Sequence, residues 1–464
     1  MPYLGSSVHL RAMAAAALRP DPVPAAAEAE RVAIVSASIG AGHDGAAAEL
    51  ARRLTEHGLV VDRFDLLDLL PAHLGRLVRD GYHRMLVRAP WAYQRIYRST
   101  EHAGGGGPLA RALLRSAEEQ MLRVLPPGTG AVVSTYPGAS RVLGNLRLRG
   151  RLTVPVLTYL TDFSVHPLWV ADGVDVHLAA HAVPASQARA AGARDARVCG
   201  PVVDPRFRPG TARERATARA RFGLPKDAPL ALLVAGSWGV GPVRQVALEL
   251  RDCGAAVPVV VCGRNEALAE QLRADGVEHT YGWVDDMPAL MRTADVLVQN
   301  AGGLSSLEAF ATGLPVASYR CIPGHGLTNA AALEEAGAAV WIRDPAQLKA
   351  VLGDLIDGPL GLRQRAAGSA LFAASAEPGG GPAAEIARVH RAGLPPRPSV
   401  RRARPAARLL VATAAVACGV WACAVGTGIA TEYDGPGVIH AIGHGLDLDD
   451  PRPVHAPRPA GHHS

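Results

Sequence analysis

Gln299-Asn-Ala-Gly-Gly-Leu-Ser-Ser-Leu-Glu308-Ala-Phe-Ala-Thr-Gly313-Leu-Pro315 is the stretch on which the reading of this chain turns. It follows Ala294-Asp-Val-Leu-Val-Gln299, a short β-rich run, and leads into a helical pattern. Gly302 and Gly303 permit close backbone approach, and Ser305 or Ser306 is expected to cap the helix. Free N–H groups at such a helix start favour a bound phosphate, while Glu308, one turn in, can accept hydrogen bonds from a ribose diol. The segment therefore reads as a nucleotide-diphosphate pocket. A plain βα turn carrying an exposed glutamate has the same pattern, so this run alone leaves both open.

A second glycine loop lies near the N-terminus. Arg31-Val-Ala-Ile-Val-Ser-Ala-Ser-Ile39 reads as a strand, Gly40-Ala-Gly42-His43-Asp-Gly45 as a turn, and Ala46 to Leu54 as a helix. This satisfies G-x-G-x-x-G in its strand-turn-helix context, and Asp62 and Asp65 end the next strand about 20 residues on, as a dinucleotide fingerprint requires. A nicotinamide or flavin oxidoreductase is thus one reading. His43 speaks against it, because a titratable ring occupies a turn where pyrophosphate wants small residues; a histidine there suits proton transfer.

The chain has 464 residues, 48% of them hydrophobic, enough for two α/β cores. Its formal charge of +6 is carried largely by arginine, which suits anionic surfaces. Six cysteines without C-x-x-C spacing indicate neither a zinc site nor a disulfide framework. Strand patterns at 32–39, 59–64, 131–135, 154–160 and 174–180 alternate with helical ones, and the proline-punctuated joint Pro201-Val-Val-Asp-Pro205 closes this half. The alternation resumes at 230–235, 257–262, 277–281, 296–298 and 315–319, which argues for parallel sheets in two doubly wound domains. Ala235-Gly236-Ser-Trp-Gly239-Val-Gly241 ends the first strand of the second half, so two glycine turns, with Gly239 and Gly241 in one and Gly302 and Gly303 in the other, bracket one pocket. The expected division is a disordered leader (1–30), an N-terminal acceptor domain (31–204), a C-terminal donor domain (205–375), a return helix and basic linker (376–408), a spanning helix (409–431) and a His/Pro-rich tail (432–464).

Five ordered motifs carry a family resemblance. They are Ser36-Ala-Ser-Ile-Gly-Ala-Gly-His43, Thr161-Asp-Phe-Ser-Val-His166-Pro-Leu-Trp169, Tyr281-Gly-Trp-Val284, Gly302-Gly-Leu-Ser-Ser-Leu-Glu308-Ala and Ile322-Pro-Gly-His325-Gly-Leu-Thr-Asn329. From Arg31 to Ala374 the chain resembles the monogalactosyldiacylglycerol synthase and processive diacylglycerol glucosyltransferase family, GT-B glycosyltransferases related to the muramyl-lipid N-acetylglucosaminyltransferase. The resemblance implies two Rossmann-like domains facing a cleft, a UDP-sugar as donor substrate, a lipid acceptor, and neither metal nor further cofactor. It implies His43 as the base or the group that orients the acceptor, with Asp162 as a candidate partner fixing its tautomer. Donor contacts are implied for Gly236, Gly239, Gly241, Val284, Gly302, Gly303, Ser305, Glu308, His325 and Asn329, and acceptor contacts for Gly40, Gly42, His166, Trp169, Tyr82 and Trp91. The chain departs from the family where His325 and Gly326 replace a glutamine and an acid that contact donor-sugar hydroxyls. It departs again where Gln299-Asn300-Ala301 replaces a lysine-containing entry, so phosphate binding leans on backbone dipoles.

Between Arg76 and Arg123 arginines interleave with aromatic and leucine residues, as in Tyr82-His-Arg-Met-Leu-Val-Arg88-Ala-Pro-Trp91. This suits an amphipathic insertion at an anionic membrane surface; no nucleic-acid module accompanies it. Leu409 to Thr431 lacks charged residues, with arginines before it and acids after, which predicts a membrane span and a catalytic body on the cytoplasmic side of the cell membrane. The sequence thus points to a membrane-associated hexosyltransferase. A membrane-tethered lipid- or nucleotide-binding protein without turnover is the other alternative, favoured by His325 and Gly326.

Overall fold

The computed structural model of the protein describes residues 30–71, 74–102, 108–376 and 379–393. The leader up to residue 29, the linker beyond 393, the 409–431 stretch and the tail lie outside the described residues. Among the described residues, no helix is long and apolar enough to cross a membrane.

The first half holds strands β1 (Arg31–Ser36), β2 (Val60–Asp65), β3 (Thr129–Ser134), β4 (Val156–Tyr159), β5 (Val176–Ala179) and β6 (Ala196–Val198). The second holds β7 (Leu230–Val234), β8 (Val257–Val261), β9 (His279–Tyr281), β10 (Val296–Gln299), β11 (Val316–Tyr319) and β12 (Ala339–Ile342). Helices α1 (Ala41–Glu56), α2 (Leu74–Arg88), α3 (Pro90–His102), α4 (Pro108–Val124), α5 (Pro137–Leu148) and α6 (Ala182–Ala190) flank the first sheet. The second half carries α7 (Ala212–Arg221), α8 (Val243–Cys253), α9 (Glu266–Ala274), α10 (Met287–Thr293), α11 (Leu304–Thr312), α12 (His325–Glu335), α13 (Leu348–Asp357) and α14 (Pro359–Ala376). A last helix, α15 (Gly381–Ala392), follows.

Both sheets are parallel throughout, as the alternation predicts, with orders β2-β1-β3-β4-β5-β6 and β12-β11-β10-β7-β8-β9. Strands covered by helices on both faces lack polar alternation; Leu230-Ala-Leu-Leu-Val234 is buried along its whole length. The strands β6 and β12, absent from the sequence reading, are short sheet edges. An edge strand buries fewer of its side chains, so its apolar run is weaker: Val198 at the end of β6 is 47% exposed.

Helix α15 returns to the first half. Ile386 and Val389 are buried with Val32, Ile34 and Leu50, and Glu385 pairs with Arg197. Burying two such side chains is worth about 3–6 kcal/mol.

The topology places the pocket. In the first sheet the chain passes outward from β1 to β2 and then crosses to β3, so the strand order reverses between β1 and β3. In the second sheet it reverses between β7 and β10. Loops beyond the carboxyl ends of strands at such switch points form the crevice of an open parallel sheet. At those ends stand His43, in the first turn of α1, and Thr135 in one half, and Gly236–Gly241 and Gln299–Gly303 in the other.

Candidate active site

His43 belongs to the first turn of α1, which starts at Ala41 behind an N-cap Gly40 in an extended conformation of positive φ. Its Nδ1 lies 3.0 Å from the Thr135 carbonyl oxygen and 2.8 Å from Thr161 Oγ1. A carbonyl oxygen can only accept, so Nδ1 carries the proton and Nε2 keeps its lone pair. The ring is walled by Tyr136, edge-on at 5.3 Å, and Trp169 at 6.0 Å. The arrangement fixes the ring through Nδ1 and holds Nε2 in place.

Asp162 does not fix that tautomer. Among the described residues no hydrogen bond joins it to His43; its Oδ2 accepts from the Trp169 indole N–H at 3.0 Å. Asp162 thereby holds the ring that packs on His43, and its charge reaches Tyr82, Tyr93 and His325. Thr135 is the determinant the sequence reading misses, because its carbonyl arrives from 92 residues away.

The donor-side loops are tied to one another by neutral amides. Asn300 Nδ2 donates to the Val240 carbonyl at 2.9 Å, and Gln299 accepts from the Gly302 N–H while donating to Ser318 Oγ at 2.6 Å. Gly241, at φ 99°, has no room for a Cβ, which would stand 2.5 Å from Asn300 Nδ2. Gln299 and Asn300 therefore shape the loops and add no charge.

Helix α11 begins at Leu304 behind N-cap Gly303, without a side-chain cap, so neither Ser305 nor Ser306 caps it. Helix α1 is likewise uncapped by any side chain, and Leu304 packs against it: a Cβ on Gly45 would meet Leu304 Cδ2 at 2.7 Å. Two helix N-termini, one from each half, thus stand together without side-chain caps, their positive dipole ends adjacent. Glu308, one turn into α11, accepts no hydrogen bond among the described residues on its carboxylate. Burial, with the Asp204 charge adding to it, pushes its pKa up to about 7. Val284 lies on the loop between β9 and α10, partly buried against the same core.

Several expected contacts go elsewhere. Asn329 is fully buried, donates to the Ala301 carbonyl at 2.9 Å, and accepts from Ser164 N at 2.7 Å and Ser164 Oγ at 2.9 Å. It clasps the two halves together, which leaves its amide little capacity for a donor ligand. His166 is buried too; Nδ1 accepts from Leu168 N at 3.1 Å, and Nε2 lies 3.2 Å from the Tyr97 carbonyl oxygen. It anchors α3 instead of facing an acceptor, and Trp169 is only 1% exposed. Gly42 lies against Leu304 of the other half. Tyr82 turns inward to Tyr93 and to Trp238 of the Gly236 loop, whereas Trp91 is 70% exposed. The acids of the dinucleotide fingerprint are engaged as well: Asp62 pairs with Arg31 at 2.6 Å, and Asp65 accepts from Ser38 N, Ser38 Oγ and Leu67 N.

His325 opens α12 behind N-cap Gly324. Burial lowers its pKa; the Asp162 charge opposes that shift and His43 adds to it. Histidines from the two halves thus share one electrostatic environment.

Comparisons with known proteins agree with the motifs on both halves. Residues 43–203 match the family model of monogalactosyldiacylglycerol (MGDG) synthase, and residues 242–357 that of glycosyl transferases group 1. The processive diacylglycerol beta-glucosyltransferase of Bacillus mycoides (strain KBAB4) is 29% identical over 249 residues, covering 50% of this chain and 61% of the relative. The protein of the same description from Bacillus cereus (strain AH820) is 29% identical over 251 residues, with the same coverage. The similarity thus spans about three-fifths of the relatives' length. Among solved structures, Medicago truncatula UGT71G1 complexed with UDP-glucose superposes with a TM-score of 0.52 at 14% identity, over 78% of this chain and 98% of that one. Os79 from O. sativa, in complex with U2F and trichothecene, gives 0.52 at 14% identity over 78% and 99%. These structures share the fold of two parallel-sheet α/β domains.

Proposed function

We propose that this chain, whose first half matches the MGDG synthase model and whose second matches glycosyl transferases group 1, moves a hexose from a UDP-sugar to the hydroxyl of a membrane lipid such as diacylglycerol, with inversion. The observation that carries the reading is the His43 imidazole, held through Nδ1 so that Nε2 is free, beside two abutting uncapped helix N-termini. His43 Nε2 takes the proton of the acceptor hydroxyl as its oxygen attacks the anomeric carbon. The bond from that carbon to the phosphate oxygen breaks, and the charge on departing UDP is met by backbone N–H groups of α11 and of the glycine loops. Glu308 accepts from the ribose hydroxyls, and the Val284 loop borders the base. A dinucleotide is disfavoured because Asp62 and Asp65 are already paired.

The outer face of α2 and α3 supports a lipid-surface reading. Leu77, Val87 and Trp91 are 57%, 54% and 70% exposed, and Arg84, Arg88 and Arg95 lie exposed beside them. An apolar patch edged by arginines suits an anionic leaflet, the rings and leucine entering the headgroup layer and the guanidinium groups meeting phosphates. The cell membrane, reached from the cytoplasmic side, is the location this reading takes, with 409–431 as its anchor.

Two results test these statements. UDP at a hundredfold excess over its Kd is expected to stabilise the protein by about 2.7 kcal/mol, a thermal shift of several degrees, while NAD produces none. A shift with NAD alone overturns the donor assignment. Separately, Leu77→Ser with Trp91→Ser, in a chain ending at Ala406, is expected to weaken binding to phosphatidylglycerol-containing vesicles about tenfold, a loss of about 1.4 kcal/mol. Raising the salt should weaken what remains. Binding unchanged by both treatments assigns the membrane contact to another surface.

A further inference from the structure

The inner face of α3 grips the first turn of α12. Gln94 accepts from the Gly324 N–H, Tyr93 Oη lies 2.9 Å from His325 Nδ1, and Tyr97 Oη lies 3.1 Å from Thr328 Oγ1. Gly324, at φ 73°, makes room for this grip: a Cβ there would stand 2.6 Å from Tyr93 Cε1. Tyr93 is only 8% exposed, and its ring lies 5.9 Å from the His325 ring and 5.6 Å from that of Tyr82, nearly perpendicular to both. The Tyr82 ring packs edge-on against it. A chain Tyr82, Tyr93, His325 therefore runs from the insertion on one half to the pocket helix of the other.

The protons in this chain can be assigned from elementary chemistry. A phenol oxygen conjugates its lone pair into the ring and accepts weakly, whereas an imidazole sp² nitrogen is a strong neutral acceptor. Both phenols are buried and stay protonated. Tyr93 then donates its single O–H to His325 Nδ1, so the imidazole proton sits on Nε2. Among the described residues no hydrogen bond takes up that N–H. The Asp162 charge favours a proton on this ring from across the pocket.

We propose that Tyr93 is a positioning residue: it locks His325 in the Nε2–H tautomer, and this N–H donates to a hydroxyl of the transferred hexose. The inference rests on the donor reading above and deepens it. A residue on the acceptor-side insertion thereby sets how the sugar, as distinct from UDP, is held.

The test has three arms. In the wild-type protein, ¹⁵N–¹H spectra of the His325 ring, assigned through His325→Gln, should show a proton on Nε2 and a bare Nδ1; Tyr93→Phe should yield a tautomer mixture. Calorimetry on Tyr93→Phe should show about tenfold weaker binding of whichever of UDP-glucose and UDP-galactose the wild type binds, with UDP affinity changed less than twofold. The double variant Tyr93→Phe/His325→Gln should bind the sugar nucleotide no worse than His325→Gln alone. A proton on Nδ1 in the wild type overturns the lock. Equal weakening of UDP and the UDP-hexose, or fully additive losses, makes Tyr93 a structural tie only and overturns the positioning role. Absence of hexose transfer by the wild type sinks the functional reading alone, because the tautomer and binding arms are read without turnover.

Discussion

His43→Ala is expected to lower hexose transfer about 100-fold or more while leaving UDP affinity within about twofold, since general-base catalysis contributes on the order of 10² to 10⁴. The two readouts separate because of where the ring stands. Its Nδ1 is committed to Thr135 and Thr161 of its own half, and only Nε2 is left for an acceptor hydroxyl. The donor loops are built from the other half around Asn300 and Gln299. Single-turnover transfer of labelled hexose into extracted lipid measures the chemical step, and UDP titration by calorimetry measures the site. A variant that transfers at the wild-type rate removes His43 from the mechanism. One that loses UDP binding as well shows that the first turn of α1 is a structural support for α11, against which it packs.

The second large effect belongs to Glu308. Glu308→Gln should weaken UDP about 10- to 100-fold, because a hydrogen bond to a charged group is worth about 1.5–3 kcal/mol. The same change should make the ligand-free protein more stable at high pH. The carboxyl of Glu308 holds its proton up to about 7 in the fold, whereas an unfolded glutamate releases it near 4.3. Between those values the native state binds more protons than the unfolded chain, so this residue's contribution to stability falls as pH rises from about 4.3 through 7, then levels off. Glutamine does not titrate. The difference in Tm, variant minus wild type, should be small near pH 4.5 and reach a few degrees above pH 7.5. Ribose hydroxyls favour the ionised carboxylate, so UDP binding below pH 7 should release a proton and strengthen as pH rises. A Tm difference independent of pH would show that the buried carboxyl is not the cause.

Both predictions draw on a site that was only partly legible in the sequence. Asp62 and Asp65 sit at the fingerprint spacing, yet their oxygens face Arg31, Ser38 and Leu67 N–H. Ser305 and Ser306 have the right chemistry for a cap, but the helix starts at Leu304, two and three residues too early for them to serve. His166 and Asn329 stand in the motifs that carry the family resemblance and are both engaged in holding elements together. The arginine-aromatic run was legible as amphipathic. Its apolar inner face, however, meets α12 and Trp238 as well as its own domain, and only the outer face with Trp91 is left for a lipid surface.

What the sequence determined by itself is whatever neighbouring residues settle among themselves. The apolar runs of 4–8 residues made strands, the glycines at 40, 236, 241 and 302 made turns of positive φ, and the alternation of strand and helix made two parallel sheets. These follow from local sterics and from the period of side-chain burial, which a chain carries with it. What the tertiary structure decided is which group each polar side chain meets. His43 is fixed by atoms 92 and 118 residues away, and Tyr93 reaches His325 across 232. A hydrogen bond is set by distance and direction within a few tenths of an ångström, and no local pattern specifies that for partners brought together only when the two halves close on one another.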